Sequence, residues 1–506
     1  MSGARGFLER WAELEDLGSA SALLSWDQET CMPPRGAAGR GRVLAALSGL
    51  RHRALVDPAL AEALEAWAGE HAGDPVAEAQ VREARRRIER ARRVPEALAR
   101  RLAELASRGL EAWRAAREAD DFTLFQPVLE EILAAKREEA ACLAPEGDPY
   151  EALMDEYEPG SQVAELEPLF RDLVAELQPL VRAVQESGPA VDEAPARGHF
   201  EPRVQEAFAR EMAAAIGFDF EAGRLDASAH PFCTGIQPDD VRITWRWQED
   251  DFRPALFGVL HEAGHGLYEQ GLPRDWHRTP LGHAVSLGVH ESQSRLWENL
   301  VGRSRGFWRF ALPRFHAAFP DRREAAPDVE TLWPALNPVR PSLIRVEADP
   351  VTYNLHIALR FDLERALIAG DLEAADLPGA WDEGMERLLG LRPPSARDGV
   401  LQDIHWSMGA FGYFHTYTLG NLIASALLEA FAAEAGEPEE AWAAGDFAPL
   451  RDWLRERIHR HGSRFRVPEL LEQALGGPLR AGPLLRYARG LVEEAYGLTG
   501  ISRESR

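Results

Sequence analysis

The chain has 506 residues, 45% of them hydrophobic and 27% charged, enough apolar material for one large helical domain or two or three ordinary ones. With 82 acidic against 57 basic side chains the net charge is −25, a surface that repels phosphate backbones and anionic lipid and so disfavours nucleic-acid and membrane partners. Cys31, Cys142 and Cys233 form no Cys-x-x-Cys pair, and an odd, scattered set fits a reducing compartment. The opening MSGARGFLERWAELED turns charged at once, with no apolar signal-peptide core, and no segment reaches the ~18 uncharged apolar residues of a membrane span, so a cytoplasmic location is expected.

In chain order, residues 1 to about 185 read as successive helices. VAEAQVREARRRIERARR and PVLEEILAAKREEAACL carry apolar residues at three and four spacing, with Pro95, Pro127 and APEGDPY as punctuation. The arginine cluster from Arg85 to Arg93, with glutamates interleaved at Glu83 and Glu89, reads as a solvated helix face. ESGPAVDEAPARGHF (186–200) is the clearest loop. DVRITWRW (240–247) is the best strand, alternating Val241, Ile243, Trp245 and Trp247 with Arg242, Thr244 and Arg246. From Phe252 onward the pattern is helical again. The fold class expected is mostly α with one small β-sheet.

HEAGHGLYEQG (261–271) holds the main chemical signal. On a helix, His261 and His265 lie on one face and can aim two imidazoles at one metal ion, with Glu262 placed to act as a base on a metal-held water. Roughly one chain in twenty of this composition would spell the bare pattern by chance, so a third ligand is required. Gly264 and Gly266 add to the signal. Each costs a helix interior ~1 kcal/mol relative to alanine, which implies that something approaches that helix closely. Downstream, GVHESQSRLWENL offers Glu291, read as opening a second helix, as the third ligand, with His290 as its rival. Arg345 in SLIRVEAD is a candidate clamp for a carboxylate, since guanidinium binds one bidentately.

These residues stand within a longer series. SWDQETCMPP, HPF (230–232), Asp240-x-Arg242-x-Thr244, the His261–His265 helix, HESQ (290–293), Ile344-Arg345-x-x-Ala348-Asp349 and Gly399-x-x-Gln402-Asp403-x-His405-Trp406 resemble, in order, the signatures of the Taq-type metallocarboxypeptidases, the M32 peptidases. The resemblance covers essentially the whole chain. It implies a mostly helical fold similar to the angiotensin-converting-enzyme and neurolysin type, with two lobes around a deep groove. Residues 1–506 would form one catalytic unit, 1–190 a helical lobe partly covering the groove, and 191–506 the metal-binding and substrate-binding part. It also implies a homodimer that removes single residues from peptide C-termini with broad preference, using Zn²⁺ that Co²⁺ can replace. The sequence departs from the family's pattern at His415, Gly266 and Cys31, none of them a proposed ligand.

Carried onto this chain, the resemblance implies His261, His265 and Glu291 as metal ligands and Glu262 as general base. His405 and Tyr417 would donate to the oxyanion, with Tyr413 as the alternative tyrosine. Arg345, then Arg242, would pair with the substrate's free C-terminal carboxylate, and Gln402 would hold its backbone. Asp240, Asp349 and Asp403 would orient ligands or cations from behind, or serve as structural acceptors. The rival readings are a metallo-oligopeptidase cutting inside short peptides and an inactive helical peptide-binding protein.

Overall fold

A computed structural model describes residues 6–187 and 191–498. Residues 188–190 of the expected loop and the first five of the N-terminal segment lie outside the described residues. Helices dominate, as the periodicity predicts, and the strands described form one three-stranded sheet. No described helix is long and apolar enough to cross a membrane. The chain divides into two compact units, each assembled from three separate stretches.

The first unit comprises Met1–Arg92, Asp192–Leu336 and Leu427–Leu479. Its N-terminal helices Phe7–Thr30, Pro58–Glu70 and Pro75–Arg93 pack Phe7, Trp11, Leu14, Leu60, Leu64, Val81, Ala84 and Ile88 into one apolar cluster. The arginines of the third helix are in part a solvated face, with Arg85, Arg92 and Arg93 exposed, but they also reach other segments. Arg85 pairs with Glu65, Arg87 lies over Trp11 and pairs with Glu15, and Arg92 donates to the carbonyls of Val56 and Asp57. A second core joins Phe200, Phe208, Phe252, Trp308, Phe315 and Phe319 in edge and tilted contacts. The unit also holds a sheet of β1 (Gly223–Ala227), β2 (Cys233–Gln237) and β3 (Asp240–Trp245), in the order β1-β3-β2. β3 pairs parallel with β1 and antiparallel with β2, with a bulge between Gly235 and Gln237. The sequence identified only the central strand, because β1 and β2 are five residues each, with Leu225 and Ile236 as their only large apolar side chains.

The helix Arg253–Gly271 packs on β2 and β3 and is apolar nearly all round, which is the pattern of a buried helix. Its partner Leu287–Arg295 starts from Ser286, whose hydroxyl caps Val289 N–H. Glu291 therefore sits mid-helix rather than at its start. The helix then widens into a π turn, Leu296–Val301. Gly264 explains how close the two helices come: a Cβ there would lie 2.5 Å from the Gln293 carbonyl oxygen and 2.7 Å from Ser294 Cα. Gly266 makes room for the Phe218 ring, which a Cβ would meet at 2.5 Å. The close approach expected of that helix is thus protein packing.

The second unit comprises Arg93–Val191, Asn337–Ala426 and Arg480–Arg506. Helices Glu96–Ala119, Gln126–Leu143, Val163–Glu186, Tyr353–Ala369, Leu377–Leu389 and Gly482–Tyr496 build it. The Phe170 and Phe361 rings stack at 4.7 Å in its core. Pro168 and Pro179 sit inside the Val163–Glu186 helix without ending it.

Gly264→Ala should destabilise the first unit by about 1–3 kcal/mol, since backbone atoms of Gln293 and Ser294 cannot move aside as a flexible side chain could. Chemical denaturation of wild type and variant reads this directly. A pH dependence follows from Glu15. Burial opposes its ionisation, but the hydrogen bond from His283 and the charges of His283, Arg87 and Arg51 outweigh it and hold its carboxyl at about 2. Burial also works against the charge of Arg87, which Glu15 partly offsets. The stabilisation from Glu15 is present above the unfolded carboxyl range and is lost as pH falls from about 4.5 towards 2. Thermal midpoints between pH 6 and 3 should fall less steeply in Glu15→Gln than in wild type.

Candidate metal centre

Both imidazoles of the 261–271 stretch are fixed from behind. His261 Nδ1 lies 2.8 Å from Glu298 Oε2, a carboxylate supplied by the π turn. His265 Nδ1 lies 3.1 Å from the backbone carbonyl oxygen of His290. With the Nδ1 atoms so engaged, the Nε2 lone pairs face inward. There they meet Glu291 Oε2, at 3.7 Å from His261 Nε2 and 3.3 Å from His265 Nε2. Among the described residues, His261, His265 and Glu291 are the group whose ligand atoms converge in this way, all within 4.8 Å.

The donor set fits a divalent ion. Tetrahedral ligands about 2.0–2.1 Å from zinc lie roughly 3.3–3.4 Å from one another, close to the 3.3 and 3.7 Å between Glu291 Oε2 and the two imidazoles. Glu291 is itself anchored: Arg295 Nε donates to Oε1 at 2.6 Å and Ser294 Oγ to Oε2 at 3.1 Å. Burial opposes its ionisation, yet Arg295, His261 and His265 hold it well below the usual carboxylate range. Glu298 is likewise depressed, to about 2, by Arg295, His261 and Arg303 against its burial. Glu262 is 6% exposed and behaves differently. Burial, with the charges of Glu291 and Glu298, pushes it up to about 7 despite His261 and His290. One carboxylate of the cluster is thus anchored as an anion and another is poised to exchange a proton.

The remaining predicted residues fall in two places. Arg242, on β3, is spent on Asp240 two residues away, with Nε and Nη2 at 2.9 and 3.0 Å from its oxygens, and its guanidinium lies 4.3 Å over Trp26. Thr244 of the same strand binds Ser228 Oγ and Phe232 N–H, holding the HPF segment. In the second unit, Arg345, Arg360 and Asp403 form a buried triad. Asp403 Oδ1 accepts from Arg345 Nη2 at 2.6 Å, and its Oδ2 lies 2.6 Å from Arg360 Nη2. Arg345 also donates to Tyr353 OH at 2.9 Å. The two guanidinium charges outweigh the burial of Asp403 and hold its carboxyl far below the ordinary range.

Gln402 uses its side chain on the Arg345 amide and on the carbonyls of Leu343 and Asp398, so it fastens the Arg345 segment. His405 Nε2 lies 3.3 Å from Tyr417 OH, and the Tyr413 ring is 5.0 Å from the His405 ring. Burial and the charges of Arg345 and Arg360, against that of Asp403, bring His405 down to about 4, leaving a neutral imidazole. Asp349 spends both oxygens on Val351, Thr352 and Arg340, a structural turn. His415 is fully buried beside Tyr150 and Phe361 with neither ring nitrogen hydrogen-bonded, and burial lowers it to about 3.

Sequence reasoning missed Glu298 and Glu269. Glu298 was legible in principle: it stands seven residues after Glu291, with Arg295 between. His290, the rival ligand, turns its ring to His265 Nδ1 and to Glu269 instead of the cluster's centre.

A half-buried histidine pair and a buried glutamate on adjoining helices of a mostly helical chain define a metallopeptidase-type centre. The model of the carboxypeptidase Taq (M32) metallopeptidases matches residues 6–491, and the chain belongs to that family. It is 46% identical to thermostable carboxypeptidase 1 of Thermus thermophilus, over 97% of this chain and 99% of that one. To thermostable carboxypeptidase 1 of Pyrococcus furiosus it is 38% identical, over 97% of each. The crystal structure of the M32 carboxypeptidase from Deinococcus radiodurans R1 superposes with a TM-score of 0.95 at 41% identity, covering 97% of this chain and 99% of that one. The chain is therefore a metallocarboxypeptidase, as the resemblance implied.

Asp403 carries the testable consequence for the second unit. Removing its charge leaves Arg345 and Arg360 buried against each other, so Asp403→Asn should cost about 3–5 kcal/mol. Asp226→Asn, which breaks the more exposed Arg224–Asp226 pair, should cost at most ~1 kcal/mol. Paired denaturation curves distinguish the two.

Proposed function

We propose that the chain removes single amino acids from the free C-termini of peptides, with His261, His265 and Glu291 holding a zinc ion that cobalt can replace. When bound, the ion polarises the scissile carbonyl and lowers the pKa of water towards ~7. Glu262 takes the proton of the attacking water and returns it to the departing amine. Its raised pKa suits both halves of that exchange. His405 and Tyr417 are our oxyanion donors, carried over from the family resemblance, with Tyr413 as the alternative tyrosine. A neutral His405 can donate a hydrogen bond without adding a fixed charge.

Arg345 is our choice to pair with the terminal carboxylate. Three of its five N–H groups go to Asp403 and Tyr353, which leaves an edge of the guanidinium for a substrate. With Arg360 and Asp403 it forms a cluster of one net positive charge, a stronger anion receptor than the balanced Arg242–Asp240 pair. Gln402 serves by fixing the Arg345 backbone. We also assign the chain a cytoplasmic location and a homodimeric state, as the sequence reading expects.

The observation that carries the reading is the convergence of two imidazole Nε2 atoms and one anchored carboxylate in a chain of this family. An N-blocked peptide with a free C-terminus should release amino acids one at a time, and a chelator should stop it. The same peptide amidated at its C-terminus should resist; cleavage of the amidated peptide would favour the oligopeptidase reading. Glu262→Gln should lower kcat by about 10²–10⁴-fold with metal content unchanged. Turnover within a few-fold of wild type would remove Glu262 from its role.

A further inference from the structure

Behind His265 stands a second histidine, and behind that a carboxylate. His290 Nδ1 lies 2.6 Å from His265 Nδ1, the two rings inclined by 26°. On its far side, His290 Nε2 lies 2.8 Å from Glu269 Oε1. Two nitrogens this close share one proton between them, and for His265 Nδ1 this is the shorter of its two contacts, the His290 carbonyl oxygen lying at 3.1 Å. A metal ligand at His265 Nε2 requires that proton on His265 Nδ1, because a neutral imidazole has only one N–H. His290 Nδ1 must then be the bare acceptor, so His290 carries its own proton on Nε2. That N–H points at Glu269, whose carboxylate can only accept.

A separate feature of the sequence makes room for this carboxylate. A Cβ at Gly235, on β2, would run into Glu269 Oε2. Gly235 has no positive φ, so its backbone does not demand glycine. What demands it is the space the Glu269 carboxylate takes up.

We propose that Glu269 is a positioning residue for the metal: by accepting the Nε2 proton of His290, it fixes the proton of His265 on Nδ1 and so keeps the His265 Nε2 lone pair on the metal side. The inference rests on the reading of His265 as a ligand. Glu269 touches neither substrate nor metal on this account. It acts through two imidazoles in series, one step further back than Glu298, which meets His261 directly.

The test uses zinc and cobalt ions on the full chain. Glu269→Gln removes the charge that enforces the proton's position and offers His290 a donor as readily as an acceptor. Its affinity for zinc, read by chelator competition, should fall about 10–100-fold. The visible absorption of the cobalt form should shift, and the thermal midpoint of the metal-free chain should stay at the wild-type value. Gly235→Ala, which displaces the carboxylate without deleting it, should weaken zinc in the same direction and serves if the Gln variant does not fold. Zinc affinity within twofold of wild type in the folded variant overturns the proposal. His265→Ala separates the two levels: loss of zinc there with Glu269→Gln unaffected overturns the role of Glu269 alone, whereas no loss in either overturns the ligand assignment as well.

Discussion

Two imidazole lone pairs and a carboxylate oxygen repel one another, yet His261 Nε2 and His265 Nε2 sit 3.7 and 3.3 Å from Glu291 Oε2, all three within 4.8 Å. Only a positive charge in their midst, a proton or a metal ion, turns that repulsion into attraction. Much of the first unit is arranged to keep them there. Gly264 lets the ligand helix Leu287–Arg295 touch the backbone of the helix Arg253–Gly271. Arg295 and Ser294 grip Glu291, Glu298 aligns His261, and the His290 carbonyl aligns His265. Each supporting contact points a lone pair inward by occupying the opposite side of the same group. The side chains are thereby organised before any ion arrives, which lowers the ordering cost of binding one.

The cluster also divides labour among three carboxylates by environment alone. Glu291 and Glu298 meet guanidinium and imidazole groups and stay ionised; at Glu262, burial and the like charges of Glu291 and Glu298 outweigh the imidazoles of His261 and His290. A base and an anchoring anion thus come from the same residue type within one short stretch of structure. The second unit uses the opposite arrangement. There Asp403 is the anion, held between two buried cations, and the surplus positive charge is left over. Gln402, named from the sequence as a substrate contact, is occupied in tying Arg345 in place, and Asp349 in closing a turn.

The helical class and the motif pair were legible because both depend on local spacing: 3.6-residue periodicity marks the helices, and an i, i+4 pair of histidines marks the face. Glu291 was legible from chemistry plus the family pattern, although its helix starts four residues earlier than the sequence indicated, at Leu287. β1 and β2 were not, since five-residue strands with polar alternation look like loops until a neighbour pairs with them. The arginine-rich helix is exposed at Arg85, Arg92 and Arg93, as its pattern suggested, but its long-range partners were not legible for a related reason. Its glutamates argued for local pairs, while Arg87 and Arg92 found partners on distant segments. Glu298 stands at a spacing that could have marked it, but its partner His261, like the His290 that Glu269 meets, lies on the facing helix, and contacts across two helices do not follow from spacing along one.

The central claim is that one divalent ion is held by two imidazole nitrogens and the Glu291 carboxylate. Anomalous X-ray diffraction from zinc-loaded crystals, collected on both sides of the zinc absorption edge, tests it most directly. The account predicts a single zinc peak about 2.0–2.2 Å from His261 Nε2, His265 Nε2 and a Glu291 oxygen. A zinc peak bound through other side chains, or full zinc loading with none at this cluster, would contradict it.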